Sequence, residues 1–210
     1  MNKYGFNMNS INNKKDIEAI DLGLSSKWAT CNLGANSQEE VGDYFAWGET
    51  GAKSSYDNEN YKWFADGMTS KYGAEGDCAN VDPGIQTKLD QADDVAHIRL
   101  GGSWRMPSLN DIAELHEKCA WRWTRRKGVK GVLITSKVEG FTDRSIFLPA
   151  AGCIYQTEKV NLGFCGYYWT DALYKSNSKH AISTVFDSKI KTRYLPNHRY
   201  AGLPIRPVCD

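Results

Sequence analysis

The hydrophobic period of this chain changes once, near Trp121, and that change sets its class. Before it, Leu89, Ala92, Val95 and Ala96 stand at helical spacing, and so do Leu109, Ile112, Leu115 and Cys119. After it the period is two. Gly131-Val132-Leu133-Ile134-Thr135-Ser136 and Ser145-Ile146-Phe147-Leu148-Pro149 predict strands joined by a turn around Glu139-Gly140, and Cys153-Ile154-Tyr155 begins another. Helices first and strands last predict an α+β fold. Within the first half, Ser108 is the expected N-cap and Asp111 the third helical residue of the firmest helix. A short helix is expected from Ser37, with Glu40 at capping-box spacing, and a strand over Lys27 to Asn32. Asp90, Asp93 and Asp94 read as helix-start charges, facing Arg99 or Arg105.

The long segment from Thr50 to Gly84 has no period, but Tyr56, Tyr61, Trp63 and Tyr72 predict a loop packed on the core. Residues 1–18 read as a flexible or partner-dependent arm, and residues 19–210 as one domain. The Asn- and Lys-rich start lacks the apolar centre of a secretory signal, and no run of about twenty apolar residues is present to span a bilayer. Lysines and arginines (26) nearly balance the acids (25), so no global field selects nucleic acid or an anionic membrane. Any partner is recognised locally.

The C-terminal stretch has the chemistry of a contact surface. Ile182, Phe186 and Ile190 fall on one face of a two-residue repeat, and Ser183, Val185, Asp187, Lys189 and Lys191 on the other, so one face is expected in the core and the other free. The loop from Thr192 to Tyr200 then brings Arg193, Tyr194, Asn197, His198, Arg199 and Tyr200 together, residue types that dominate binding surfaces. The plain alternative is a solvated loop whose tyrosines cover the core. Pro204 and Pro207 pin the last strand.

Other chemistry is weaker. His116-Glu117 lacks the second histidine of a helical zinc motif. Asp82, Asp90, Asp93 and Asp94 offer oxygens of the kind calcium takes, without the repeat of a calcium loop; no cofactor is expected, with calcium as the alternative. Trp121-Arg122-Trp123-Thr124-Arg125-Arg126-Lys127 has the composition of an anion site, but strand alternation with solvated basic side chains explains it, and no nucleic acid is expected. Six cysteines are too sparse to frame the fold; Cys153 with Cys165, or Cys31 with Cys209, are the pairs placed for a bridge, and six reduced thiols are the alternative.

Asp21-Leu22-Gly23-Leu24 with Lys27-Trp28-Ala29-Thr30-Cys31-Asn32, Gly42-Asp43-Tyr44-Phe45-Ala46-Trp47-Gly48-Glu49, Gly101-Gly102-Ser103-Trp104-Arg105-Met106-Pro107, Leu148-Pro149-Ala150-Ala151-Gly152, Gly166-Tyr167-Tyr168-Trp169 and Arg206-Pro207-Val208 together resemble the Fibrobacter-type major paralogous domain, from about Ala19 to Cys209. That family is similar in fold to C-type-lectin-like domains of the formylglycine-generating-enzyme type, and to the variable proteins of diversity-generating retroelements. The resemblance implies a C-type-lectin-like domain whose termini meet in one sheet. It further implies ligand contacts at Trp169, Asp171, Tyr174, His180, Ser183, Val185, Asp187, Lys191, Arg193, Leu195, Asn197, His198 and Tyr200, to which the residue chemistry adds Tyr194. The function expected is non-enzymatic binding of a protein or glycan, as an adhesin, phage receptor-binding protein or retroelement variable protein at a cell surface or on a virion. An assembly subunit that self-associates through the arm is the second expectation. A formylglycine-generating oxidase is the third, disfavoured because the Gly-Gly-Ser-Trp motif here precedes the central helix instead of lying near the C-terminus.

Overall fold

The computed structural model describes residues 17–65, 67–73, 87–189 and 193–210. The arm before Ile17, Asp82, Ile190, Lys191, Thr192 and the side chain of Arg193 lie outside the described residues. The chain enters through β1 (Ala19–Ile20) and β2 (Lys27–Ala29), and its aromatic loop carries a small hairpin, β3 (Phe64–Ala65) and β4 (Met68–Thr69). A 3-10 turn at Gln91–Asp93 precedes α1 (Val95–Leu100), and α2 (Leu109–Lys118) follows. Strands then take over: β5 (Cys119–Arg126), β6 (Val129–Ser136), β7 (Ser145–Pro149), β8 (Cys153–Tyr155), β9 (Glu158–Val160), β10 (Cys165–Leu173), β11 (His180–Asp187), β12 (Arg193–His198) and β13 (Val208–Cys209). The architecture is α+β and sheet-rich, and every pairing between strands is antiparallel.

The two ends of the described chain meet on β2. Ile20 and Val208 both register against Trp28, giving the order β1-β2-β13. Arg206 locks this junction from inside: fully buried, it donates to the carbonyls of Ala29 (3.1 Å), Thr30 (3.0 Å) and Phe147 (2.8 Å) and to Asn32 Oδ1 (2.8 Å).

The capping box at Ser108 forms as its spacing predicts. The Ser108 hydroxyl accepts from the Asp111 amide at 3.2 Å while the Asp111 carboxylate accepts from the Ser108 amide at 2.7 Å. Arg105 Nη1 and Ser26 Oγ also donate to Asp111, each at 2.7 Å. Burial alone would raise this carboxyl, but these donors overcome it and hold the group well below the usual carboxylate range.

The other helix expectations are corrected. No helix forms at Ser37; the Glu40 amide closes a single turn on the Ser37 carbonyl (3.3 Å), and Gly42 at φ +73° then turns the chain away. The helix expected from Leu89 starts only at Val95, because Asp94 is its cap and accepts from the amides of Ala96 (2.9 Å) and His97 (3.2 Å). Asp93 serves the loop instead, accepting from Tyr72 and Lys71 at 2.6 Å each. Arg99 pairs with Asp43 and Arg105 with Asp111. Tyr56, Tyr61 and Tyr72 are buried and Trp63 is half-buried, as the aromatic content of the loop predicts.

The C-terminal sheet, β10-β11-β12, lies between two cores. Trp169, Leu173 and Ala181 pack with Phe45, Trp47, Leu203 and Ile205; the neighbouring residues Tyr168 and Phe186 pack with Ile112, Leu115, Val132 and Ile134. Across the ladder from Phe186 stands Gly166, where a Cβ would lie 2.1 Å from the Phe186 ring. Both faces of β10 and β11 are therefore covered, which corrects the expectation of one free face.

Candidate functional site

Burial divides the expected contact residues into interior and rim. Trp169 and Ser183 are completely buried and Val185 is 2% exposed, so these three belong to the interior, a correction forced by the second core. Trp169 Nε1 donates to the Phe45 carbonyl at 2.8 Å, which is the partner a buried indole requires. Arg199 is likewise interior at 1% exposure. Its guanidinium donates to Tyr61 Oη (2.8 Å) and to the carbonyls of Lys71 (2.8 Å), Tyr72 (3.0 Å) and Ser178 (3.1 Å), pinning the aromatic loop onto the domain. The segment expected as a loop is, over Arg193–His198, the edge strand β12.

Asp171 is buried, and Lys88 Nζ lies 3.0 Å from its carboxylate. Burial pushes this carboxyl up to about 6, against the pull of Lys88. With Tyr174 it lines a cavity of about 480 Å³ beside the first turn of α2, walled by Leu109, Lys88 and Ile182. Asp187, half-buried at the end of β11, accepts from the Lys189 amide at 2.8 Å.

The remaining expected residues come to the rim of β12. His180 and His198 face each other across the β11–β12 ladder with ring centroids 4.3 Å apart, and the His198 ring stacks on Tyr200 at 4.9 Å. Tyr155 meets Tyr200 edge-on at 6.2 Å and donates to Asn197 Oδ1 at 3.3 Å, while Asn197 Nδ2 holds Ser183 Oγ at 2.7 Å. Tyr194 is 44% exposed, its hydroxyl reaching the Leu109 carbonyl at 3.4 Å, and Leu195 is half-buried. Tyr155 is the member that sequence reasoning missed. Its strand sits beside residues 200–202 through an Ile154–Gly202 bridge, a long-range contact that no local pattern announces.

Burial lowers the ordinary values of both His180 and His198, and His198 and Lys179 lower His180 further. Among the described residues His180 Nδ1 is buried without a hydrogen-bond partner, so protonation there would place a proton where none of them accepts it. For a histidine lowered on folding, the unfolded chain takes up its proton first as pH falls through about 6.5, and stability drains from there down to the folded value. His116, pushed down to about 4 by burial, acts in the same direction. Asp171, raised by burial to about 6, acts in the opposite direction over the same range, so the histidines' share is read as a difference: going from about pH 7 to pH 5, the melting temperature of His180→Gln/His198→Gln should rise relative to that of the parent. An unchanged difference between the two proteins across that range would assign the effect to other groups.

All described cysteines are free, including both members of each pair placed for a bridge. Among the described residues no three His, Cys, Asp or Glu side chains gather as metal ligands, and no helix is long and apolar enough to cross a membrane. Comparisons with family models, with curated proteins and with solved structures returned no match to this chain.

Proposed function

We propose that this chain is a C-type-lectin-like domain of the Fibrobacter-type paralogous kind, a non-enzymatic module that binds a protein or glycan through the rim of β12. The observation that carries the reading is the aromatic ladder of His180, His198, Tyr200 and Tyr155, which sets four rings along one edge with Asn197 among them. Such rings offer large contact area at low entropic cost, and the amide supplies a directional bond. The pairing of both chain ends on β2 agrees with the termini-together arrangement of such folds. The Cys153 thiol, pushed up to about 11 chiefly by burial, is far from a thiolate at neutral pH, which supports a role other than oxidase. Attachment to a cell surface or virion, and diversification of the rim as in retroelement variable proteins, belong to the same proposal.

The test compares the intact chain with Tyr194→Ala/His198→Ala/Tyr200→Ala on an array of glycans and surface proteins, with melting curves as the control on folding. Specific binding that falls at least about tenfold in the variant is the expected result, since truncating anchor residues costs about 1–2 kcal/mol each. Binding that survives the substitutions moves the site off this rim.

A further inference from the structure

The end of β9 and the turn that leads from it to β10 hold three large apolar side chains out in water. Val160 is 37% exposed, Leu162 45% and Phe164 67%, the last being the most exposed large apolar residue described. Neighbouring residues of this kind stand in water only at a cost, and the domain spends several contacts to keep them there. The Gly163 amide donates to the Ala150 carbonyl at 2.7 Å, the Phe164 and Cys165 amides both donate to the Asn161 carbonyl at 3.0 Å, and Asn161 Nδ2 donates to Tyr167 Oη at 3.0 Å. Asn161 accepts a left-handed φ of +58° to make the turn. Beneath it Gly152 leaves no room for a side chain, since a Cβ would lie 2.2 Å from the Val160 carbonyl oxygen. The prominence is thus preorganised and projecting, with its apolar groups facing away from the core.

Its flank is basic. Lys130 Nζ lies 5.0 Å from the centre of the Phe164 ring, and Arg125, exposed, stands directly opposite Lys130 in the β5–β6 ladder. Arg126 and Lys127 follow at the hairpin end, where Glu39 pairs with both. Among the described residues Arg122, Arg125 and Lys130 make no ion pair, and the one pair of charges on β9, Glu158 and Lys159, cancels. A partner that fits must offer an apolar interior to a convex tip and negative charge beside it. An anionic lipid surface does both at once, whereas a protein partner would need an acidic rim around a matching pocket.

We propose that this turn docks the domain peripherally on anionic lipid, with Leu162 and Phe164 entering the headgroup boundary while Arg125 and Lys130 meet the lipid phosphates. The contact is shallow and spans nothing. It uses the tip of the β9–β10 turn and the β5–β6 hairpin end, separate from the rim of β12, so it stands or falls independently of ligand binding there.

The intact chain is sedimented with vesicles of phosphatidylcholine alone and with vesicles in which phosphatidylglycerol is mixed in. The expected result is partition roughly tenfold higher onto the mixed vesicles, weakened by added salt and lost in Leu162→Ser/Phe164→Ser. Because both side chains face solvent, that variant should melt as the parent does; Arg125→Glu/Lys130→Glu tests the same surface from the charged side and should lose the preference for anionic lipid. Equal partition onto both vesicle types, no partition at all, or partition unchanged in both variants would overturn the proposal.

Discussion

Replacing Arg206 by alanine should cost about 4 kcal/mol and lower the melting temperature by roughly 10 °C. The residue is fully buried and serves four oxygens, three of them enclosed (the Ala29 and Phe147 carbonyls and the Asn32 side chain) and the fourth, the Thr30 carbonyl, half-buried. No carboxylate stands among these partners, so removing the guanidinium strands acceptors and not an opposite charge. Two of the carbonyls, of Ala29 and Thr30, belong to the start of the chain and one, of Phe147, to β7. The variant therefore loosens the junction between the terminal sheet and the β5-β6-β7 sheet. Lysine should recover little, because one ammonium with three donors cannot span acceptors arranged for a planar fork. Urea unfolding at neutral pH measures the effect, and a loss below about 1 kcal/mol would mean that water reaches these carbonyls and satisfies them.

Arg199→Ala should cost about 3 kcal/mol and act locally. The guanidinium sits 5.1 Å from the Trp47 ring centre, 5.3 Å from that of Tyr61 and 5.7 Å from that of Tyr72, besides donating to the loop carbonyls of Lys71 and Tyr72. Such cation–ring contacts gain strength when desolvated. Without Arg199 the described part of the aromatic loop keeps its rings but loses its fastening, so limited proteolysis should cut near residues 61–73 well before the rest of the domain opens. Amide exchange gives the finer reading: protection should drop first in this loop, with β6 amides still slow. A uniform loss of protection would show that Arg199 supports the whole fold and not one segment.

Where information is local, the sequence was readable. The capping box at Ser108 and Asp111 lies within one turn of helix, and β6 and β7 show directly as apolar runs, Val132, Ile134, Ile146 and Leu148 meeting a single core. The C-terminal strands were harder for a physical reason. A two-residue repeat reports which residues share a face but not whether the opposite face is also covered, and here small or polar residues such as Ser183 and Thr184 are packed on both sides. Arg199 looked like surface because arginine usually is, and only the gathering of distant carbonyls around it makes burial affordable. At Ser37 the cap spacing was right but too few residues followed before Gly42 for a helix to grow. Of the candidate rim, Tyr194, Asn197, His198 and Tyr200 were legible as contact chemistry, whereas Tyr155 arrives from β8 through tertiary packing alone.

The meeting of the chain ends on β2 also governs when the domain can acquire its structure. Arg206 bonds a carbonyl 177 residues earlier in the chain, and Val208 completes the ladder that Trp28 begins. Contacts of such long separation pay nearly the whole loop-closure entropy before returning any stability. As the chain leaves the ribosome, β2 must wait with one edge unpaired until Val208 and Cys209 emerge, while α2 and the β5-β6-β7 meander can already assemble among themselves. Closure of this sheet is then a late step in the folding of the domain, and until β13 arrives the nascent domain carries an open strand edge, a template for pairing with a neighbouring chain.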